Sequence, residues 1–328
     1  MPKITIEPDK VEFAVTIDET ILDAGLRNKL NLPHTCKNGT CGTCKTKILA
    51  GEVNLDTYNP RTLSEDEQKQ GYTLLCKAHA MTDVVLDIPD ILNAFPVKIL
   101  PSKVVAINKI NNIAILKLKL PANLTFAFYA GQYIEIMLKG KNRSYSIGSS
   151  PTQSQEIELH IKYHPEGVFS QYVWNELQVD SILRFRGPLG NFRLQKTEKP
   201  IICVCTGTGF APIKSILEDM SFHNNQRTIY LYWGNRTAQD FYNLDIIEQW
   251  QKKLNIKVVL CLSQEEKSGY FYGYVMSAIV EDFTDLSAYE VYACGNPDMI
   301  ENVFELACGK LNLAKNNFFS DAFTPSVV

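Results

Sequence analysis

The stretch "PHTCKNGTCGTCKTKILAGEV", residues 33–53, places three cysteines within nine positions. A fourth cysteine follows after 31 intervening residues, so the set reads Cys36-x4-Cys41-x2-Cys44…Cys76. Four thiolates in this plant-type order are the ligand set of a [2Fe–2S] cluster. The spacing therefore predicts a one-electron carrier in the first part of the chain.

Other uses of these four thiols fit the pattern less well. Zinc also binds four thiolates, but zinc ribbons usually present two C-x2-C pairs, whereas here Cys76 stands alone. A disulfide hub would need an oxidising compartment. The glycines favour the cluster, because a loop that aims several N–H groups at sulfur needs tight turns and little bulk. Gly39 and Gly42 supply both.

The composition is that of a globular protein, with 45% hydrophobic and 21% charged residues. A chain of 328 residues exceeds one ordinary core, so two or three domains are expected. A formal net charge of −3 argues against a nucleic-acid partner. The first ten residues have no apolar core of signal-peptide length, and no apolar run elsewhere could span a bilayer. We therefore expect a cytoplasmic protein without a membrane span.

Three parts of the chain differ in their pattern of strands and helices. Residues 1–94 combine short alternating strands, the cysteine loop and a helix with Thr20 as N-cap and Asp23 completing a capping-box pattern, which predicts a small α+β module. Residues 95–197 hold short strands spaced by turn residues, the pattern of a small antiparallel barrel. In residues 198–328 apolar strands alternate with helices, which predicts a parallel α/β sheet.

The α/β part carries a nucleotide-binding pattern. "CTGTGFAPIKSIL", residues 205–217, follows a buried strand and opens a helix, which is where a pyrophosphate-binding turn lies. Pro212 stands where the third glycine of the full G-x-G-x-x-G fingerprint would be. "YWGNRTAQDFY" offers Arg236 but no second basic residue for a 2′-phosphate, and Asp240 is close by, so NADH is favoured over NADPH.

The barrel carries three motifs of a phosphate- and ring-binding site. In "RSYS", Arg143 can pair with a phosphate, Tyr145 can stack on an aromatic ring and Ser146 can hydrogen-bond to a ring nitrogen. "HPEGVFSQYVWNEL" predicts a helix whose first turn, residues 167–170, offers free N–H groups to a pyrophosphate. "GPLGNF", residues 187–192, predicts a glycine turn that closes the barrel. Because hydride brings two electrons to a one-electron carrier, a flavin converter is expected here.

The motifs "RSYS", "GVFS", "GPLG", "TGTGFAP" and "CGNPDM" resemble the signature set of the ferredoxin–NADP reductase superfamily. With the cysteine module in front, the whole chain resembles the three-domain iron–sulfur flavoprotein reductases. "FFSDAFTPS", "GQYIEIMLKGKNRSYSI" and "VYACG" look closest to the reductases of bacterial 3,6-dideoxysugar synthesis. Oxygenase reductase components are the next nearest group.

The resemblance implies a β-grasp ferredoxin domain, an antiparallel β-barrel domain that binds FAD rather than FMN, and an α/β parallel-sheet nicotinamide domain. It assigns the flavin phosphate and ring to Arg143, Tyr145 and Ser146, and the flavin pyrophosphate to Gly167, Val168 and Ser170. The nicotinamide nucleotide would contact Thr206, Gly207, Thr208 and Gly209.

Three further positions follow from the resemblance. Cys294 would lie beside the hydride-transfer site, and Asp321 and Phe323 match acidic and aromatic positions by which relatives approach the flavin and nicotinamide. Many relatives carry a glutamate where Asp321 stands. The implied catalytic set is therefore Ser146, Cys294 and Asp321.

The implied activity is transfer of hydride electrons from NADH through FAD and the cluster to another protein. No Ser-His-Asp set, His-rich motif or acid–base pair marks a site for an organic substrate. For the dideoxysugar reductases the partner is a dehydrase acting on a CDP-linked 4-keto-6-deoxysugar. The alternative is an oxygenase component, of the ring-hydroxylating or phenol/alkane type. A non-enzymatic electron carrier is disfavoured, because it would need neither the nucleotide-binding turn "TGTGFAP" nor the flavin-facing segment "RSYS".

Basic residues surround the cysteine motif, namely Lys37, Lys45, Lys47, Lys77 and His79. They are either ordinary surface residues or a positive patch that raises the cluster potential and steers an acidic partner. The histidines are dispersed and predicted to be surface or structural residues; they are His34, His79, His160, His164 and His223.

Overall fold

The computed structural model describes residues 1–34, 37–40, 42–89, 91, 95–138, 141–153 and 155–323. The chain forms two compact units. The first contains Met1–Ile99 and Arg186–Asn191, and the second contains Leu100–Phe185 and Phe192–Phe323. Within the described ranges, no helix has the length and apolar character needed to cross a membrane.

The first unit is the predicted α+β module. Its described strands are β1 (Lys3–Glu7), β2 (Val11–Ala14), β3 (Lys45–Ala50), β4 (Val53–Leu55), β5 (Tyr72–Leu74), β6 (Ala78–Ala80) and β7 (Val84–Asp87), and its helices are α1 (Ile21–Arg27) and α2 (Glu65–Lys69). The strands form a five-stranded sheet in the order β2-β1-β7-β3-β5 and a two-stranded sheet of β4 and β6. The parallel β1–β7 pair lies between antiparallel neighbours, which together with the packed helix α1 is the β-grasp arrangement.

Helix α1 begins where the sequence predicts. The Thr20 hydroxyl accepts a hydrogen bond from the Asp23 main-chain N–H at 3.1 Å, so Thr20 is the N-cap. The reciprocal half of the predicted capping box differs, because the Asp23 carboxylate accepts from the Thr20 hydroxyl at 2.8 Å instead of from its main-chain N–H. Helix α2 has the full box, between Ser64 and Glu67.

Asn31 hydrogen-bonds to the segment 186–191 within the first unit. Its buried side-chain amide donates to the Gly190 carbonyl at 3.4 Å and accepts from the Gly190 N–H at 3.2 Å. Gly190 has φ of +83°, the left-handed conformation that glycine adopts without strain. A glycine turn was predicted over residues 187–192. A strand continues to Leu189, so the turn begins later than predicted.

The second unit contains the predicted barrel. Its elements are β8 (Lys98–Ile110), β9 (Ile113–Lys119), β10 (Tyr133–Leu138), β11 (Lys141–Ser146), β12 (Glu156–Lys162), α3 (Val168–Asn175) and β13 (Ile182–Leu189). The strands follow the order β11-β10-β13-β8-β9-β12. An antiparallel bridge between Ile147 and Leu159 joins the two outer strands and closes the barrel around an apolar core that includes Val104, Ile134 and Phe185.

The rest of the second unit is the predicted parallel α/β sheet. Its elements are β14 (Ile201–Thr206), α4 (Phe210–Phe222), β15 (Ile229–Asn235), α5 (Asp245–Lys253), β16 (Ile256–Leu262), β17 (Phe271–Tyr272), α6 (Val275–Asp282), β18 (Glu290–Gly295), α7 (Pro297–Gly309) and β19 (Phe318–Ala322). The order is β17-β16-β15-β14-β18-β19, and all five pairs are parallel. All these strands therefore end at one carboxyl edge, where α/β sheets bind nucleotides.

A buried ion pair fixes the opposite, amino-terminal edge of this sheet. The guanidinium of Arg227 lies 2.7 Å from the carboxylate of Glu290, and both side chains are 2% exposed. Glu290 also accepts from the hydroxyls of Thr197 and Tyr292 at 2.8 and 2.9 Å. Because each buried charge is paired and hydrogen-bonded, the strands β14, β15 and β18 start in a defined register.

Candidate functional site

The first unit brings two of the predicted cluster ligands together. Cys44 precedes β3 and Cys76 follows β5, and these two strands pair antiparallel with Lys45 opposite Leu74. Both thiols are buried, and their sulfur atoms lie 3.3 Å apart. Neither is in a disulfide. Two thiol donors at this separation fit ligands of one metal–sulfur centre. Cys36 and Cys41 lie outside the described residues.

The glycines of the cysteine loop adopt the backbone that a tight turn requires. Gly39 and Gly42 have φ of +80° and +75°. A Cβ at position 39 would lie 2.8 Å from the Cβ of Tyr58. The Gly39 carbonyl accepts from the Thr62 hydroxyl at 2.9 Å. The loop is therefore anchored to the segment that contains Tyr58 and Thr62, at a distance that only glycine permits.

Two members of the basic group near the cluster already have acidic partners. The Lys45 ammonium lies 2.7 Å from the Glu67 carboxylate, and His79 Nε2 lies 3.1 Å from the Asp56 carboxylate. Burial alone would raise the pKa of Glu67, but the hydrogen bond from Lys45 holds that pKa below its ordinary value. The surroundings of the cluster are therefore less positive than the sequence suggests.

In the second unit, the predicted flavin-binding motifs come together. The rings of Tyr145 on β11 and Phe169 in the first turn of α3 are 5.2 Å apart. Burial raises the pKa of the Tyr145 phenol, so it stays protonated. Arg143 lies on the same face of β11 as Tyr145, because side chains alternate along a strand. This face presents an aromatic ring beside a guanidinium, which suits an aromatic cofactor that carries phosphate.

The start of α3 fits a phosphate group. Gly167 is the N-cap, and no side chain caps the first turn. A Cβ at position 167 would lie 2.5 Å from Ser170 Oγ, so the turn tolerates only glycine there. The Ser170 hydroxyl is buried and bonds to the backbone of His164 and Gly167. Its own contribution to an anion site would come from its main-chain N–H.

The predicted nicotinamide turn lies at the carboxyl edge of the parallel sheet. It consists of Thr206 and a 3₁₀ turn, Gly207–Gly209, which leads directly into α4. Gly207 has φ of +53° and nothing within 4 Å of where its Cβ would be, so a nucleotide can approach the backbone. Pro212, which replaces the third fingerprint glycine, lies in the first turn of α4, where proline is tolerated.

The turn packs tightly against the end of β18. A Cβ on Gly209 would lie 2.3 Å from the Cys294 carbonyl oxygen, and one on Gly295 would lie 2.6 Å from Thr206 Oγ1. The Asn296 N–H donates to the same Thr206 oxygen at 3.2 Å. Asn296 also caps α7, whose N1 residue is Pro297.

The three predicted catalytic residues meet beside this turn. The Ser146 hydroxyl, at the end of β11, donates to the Asp321 carboxylate at 3.4 Å. Asp321 on β19 is the register partner of Cys294 on β18. Burial, with a smaller contribution from the Asp321 charge, raises the pKa of the Cys294 thiol well above its ordinary value, so the thiol stays neutral. The Phe323 N–H donates to the Gly295 carbonyl at 2.8 Å.

Sequence reasoning missed a buried polar network between the barrel and α4. It consists of Glu158, His160, Lys214, Glu218 and Tyr242. His160 was expected to be a surface or structural residue, and it is structural, with its side chain fully buried. One sequence signal was available, namely a lysine within the apolar helical stretch "APIKSIL".

Three family models match consecutive parts of the chain. The 2Fe-2S iron-sulfur cluster binding domain matches residues 4–81, and the oxidoreductase FAD-binding domain matches residues 101–194. The oxidoreductase NAD-binding domain matches residues 203–305. The predicted cofactor set of a [2Fe–2S] cluster, FAD and a nicotinamide nucleotide is confirmed.

Relatives match over nearly the whole chain. The CDP-6-deoxy-L-threo-D-glycero-4-hexulose-3-dehydrase reductase of Yersinia pestis is 38% identical over 98% of both chains. The reductase component of propane 2-monooxygenase from Mycolicibacterium goodii is 32% identical over 99% of this chain and 98% of that one.

A solved structure shows the same architecture. The Amycolatopsis cytochrome P450 reductase GcoB superimposes with a TM-score of 0.83 and 27% identity over 99% of both chains. The predicted fold class is confirmed. The chain belongs to the three-domain iron–sulfur flavoprotein reductases of the ferredoxin–NADP reductase superfamily and is an NAD(P)H-dependent oxidoreductase.

Proposed function

We propose that this reductase takes hydride from NADH and delivers single electrons to the dehydrase that removes a hydroxyl group from a CDP-linked 4-keto-6-deoxysugar. The observation that carries the partner assignment is 38% identity, over 98% of both chains, to the dehydrase reductase of Yersinia pestis. An oxygenase component is the second candidate, favoured by the 32% identity to the propane monooxygenase reductase.

The proposed hydride-transfer site is the meeting point of Ser146, Cys294 and Asp321. When bound, FAD accepts hydride from the nicotinamide and its electrons leave one at a time through the [2Fe–2S] cluster. The Ser146 hydroxyl, held by its hydrogen bond to Asp321, would hydrogen-bond to the flavin ring. Cys294, buried and neutral, excludes water beside the reacting atoms. The predicted set Cys36, Cys41, Cys44 and Cys76 holds the cluster.

The proposed cofactor contacts use both main-chain and side-chain groups. The N–H groups of Val168 and Ser170 bind the flavin pyrophosphate, and Arg143 pairs with a phosphate oxygen. The turn that begins at Thr206 and contains Thr208 would bind the nicotinamide nucleotide through its main-chain N–H groups.

The preference for NADH over NADPH is supported by carboxylates at the nucleotide edge. Glu265, after β16, accepts from the Ala238 N–H at 2.7 Å, and Asp240 caps the short turn that begins there. Arg236 is the basic residue that follows β15. A 2′-phosphate at this edge would therefore meet two carboxylates and one guanidinium, which disfavours it.

The boundaries of the domains and the location of the protein are also proposals. The matched ranges leave residues 82–100 and 195–202 between them, and the proposed boundaries near residues 94 and 197 fall in these gaps. A cytoplasmic location is supported by the five described cysteines outside the cluster motif, Cys203, Cys205, Cys261, Cys294 and Cys308, all of which are free thiols.

The partner assignment predicts which acceptor oxidises the reduced enzyme. The dehydrase should reoxidise the NADH-reduced cluster, at a rate that rises with dehydrase concentration, whereas an oxygenase component should not. Anaerobic stopped-flow absorbance at the cluster bands measures this rate. Faster reoxidation by the oxygenase component would favour the second candidate and reject the first.

The cluster assignment predicts that Cys76→Ala abolishes iron binding but preserves flavin reduction. Loss of one of four thiolates should lower the iron content well below the roughly two atoms per chain of a [2Fe–2S] protein. Iron analysis and low-temperature EPR measure the first effect, and NADH-dependent bleaching of the flavin measures the second. Cys308→Ser, at a half-buried thiol on α7, is the control and should retain iron. Full iron content in Cys76→Ala would contradict the assignment.

The nucleotide assignment predicts a kcat/KM for NADH at least about tenfold above that for NADPH, a difference of about 1.4 kcal/mol. Glu265→Lys should reduce this ratio, because it replaces a carboxylate by an ammonium at the proposed 2′-phosphate position. Glu266→Lys changes the net charge equally at an exposed neighbour and is the matched control. An equal change of the ratio in both variants would show that Glu265 has no specific role.

A further inference from the structure

The buried polar network in the second unit connects two of its functional elements. Lys214 lies on α4, five residues after Gly209, and is 3% exposed. Its ammonium has three protons and three acceptors, namely the Gly148 carbonyl at 3.0 Å, Glu158 Oε1 at 3.0 Å and Glu218 Oε1 at 2.5 Å. Every proton of the buried ammonium is therefore directed at a named atom.

The remaining members complete one consistent protonation pattern. Burial lowers the pKa of His160, so the imidazole is neutral. Its Nε2 lies 2.9 Å from Glu158 Oε1, and its Nδ1 lies 2.9 Å from the hydroxyl of Tyr242. Burial alone would raise the pKa of Glu158, but the hydrogen bond from His160 and the charge of Lys214 lower it to about 2. Glu158 is therefore ionised, and accepts from both neighbours.

The barrel side of this network is the segment immediately after the flavin-facing strand. Gly148 follows Ser146 by two residues, and its N–H donates to the Glu158 carbonyl at 2.7 Å. A Cβ at position 148 would lie 2.9 Å from His160 Nε2. The backbone can approach the network this closely only because position 148 has no side chain.

The next two residues bind the same face of α4. The Ser215 hydroxyl donates to the Ser149 carbonyl at 2.7 Å, and the Ser150 N–H donates to Glu218 Oε2 at 3.2 Å. Three consecutive residues of the barrel are thus hydrogen-bonded to α4, whose amino-terminal end is the nicotinamide turn. The network therefore joins the strand end that carries Ser146 to the helix that carries the turn.

Stability alone does not account for charges at this position. A buried ion pair is often no more stabilising than apolar side chains of the same volume, because both ions must be desolvated. Directional bonds from one ammonium to three fixed acceptors do, however, define a distance and an orientation. That property matters where two reactants must be held within about 3–3.5 Å of each other.

We propose that Lys214 is a positioning residue for hydride transfer, which acts through Gly148 and Glu158 to hold the Ser146 strand end in register with the turn Gly207–Gly209. This inference rests on the roles proposed above for Ser146 and for the turn. Lys214 itself contacts neither cofactor in this role. Its effect is on the geometry of the hydride donor and acceptor.

The test compares three variants by single-turnover reduction of the flavin with NADH. Lys214→Met removes the ammonium, and Lys214→Met/Glu158→Gln removes it while conserving net charge. Lys257→Met removes an ion pair that Lys257, 53% exposed, makes with Asp282, and is the matched control. The hydride-transfer rate constant should fall about 10- to 100-fold in both Lys214 variants, the cost of a misplacement of about 1 Å. The Kd for NADH should change by less than about threefold, because the Lys214 variants are not expected to weaken ground-state binding of NADH.

Two further readouts separate positioning from loss of stability. Flavin reduction by dithionite, which needs no nicotinamide, should be unchanged in every variant. Amide hydrogen exchange over residues 147–150 of the protein without NADH should become faster in the Lys214 variants and not in Lys257→Met. A wild-type hydride rate constant in either Lys214 variant, even with a lower melting temperature, would overturn the proposal. Absence of flavin reduction by NADH in the wild-type chain would instead overturn the proposed function.

Discussion

The proposed hydride-transfer site depends on one close approach of backbone to backbone. The Cys294 carbonyl oxygen lies where a Cβ on Gly209 would be only 2.3 Å away, so any side chain at position 209 would displace the nicotinamide turn from β18. That contact places the turn beside Cys294, and the β18–β19 register then places Asp321 next to Cys294. Asp321 in turn meets Ser146 at the end of the flavin-facing strand. Because Gly209 has no Cβ, residues from four separate motifs can come together.

Local patterns in the sequence predicted those features that depend on neighbours along the chain. The domain order, the parallel sheet, the Thr20 cap and the glycine turns all follow from short-range periodicity and steric rules. The reciprocal half of the Thr20 box was wrong in detail, because the Asp23 carboxylate accepts from the Thr20 hydroxyl and not from its main-chain N–H. The start of the turn near Gly190 was also misplaced, since the strand runs on to Leu189.

The burial of Lys214 could not be predicted, because one of its carboxylate partners is distant in sequence. Glu158 lies 56 residues earlier, a pairing that has no local pattern, whereas Glu218 lies four residues later on α4. Desolvation of a single ammonium would exclude it from a core unless such partners exist. Two buried groups near the proposed site have different charge states. The thiol of Cys294 stays neutral, whereas the carboxylate of Glu158 stays ionised.

The central claim is that one chain connects a two-electron donor to a one-electron carrier. Anaerobic titration of the reconstituted protein with NADH, followed by visible absorbance and low-temperature EPR, tests it most directly. The account predicts bleaching of the flavin bands together with the signal of a reduced [2Fe–2S] cluster. Bleached flavin without a cluster signal would contradict the connection to the cysteine module. Unchanged spectra with both NADH and NADPH would contradict the account as a whole.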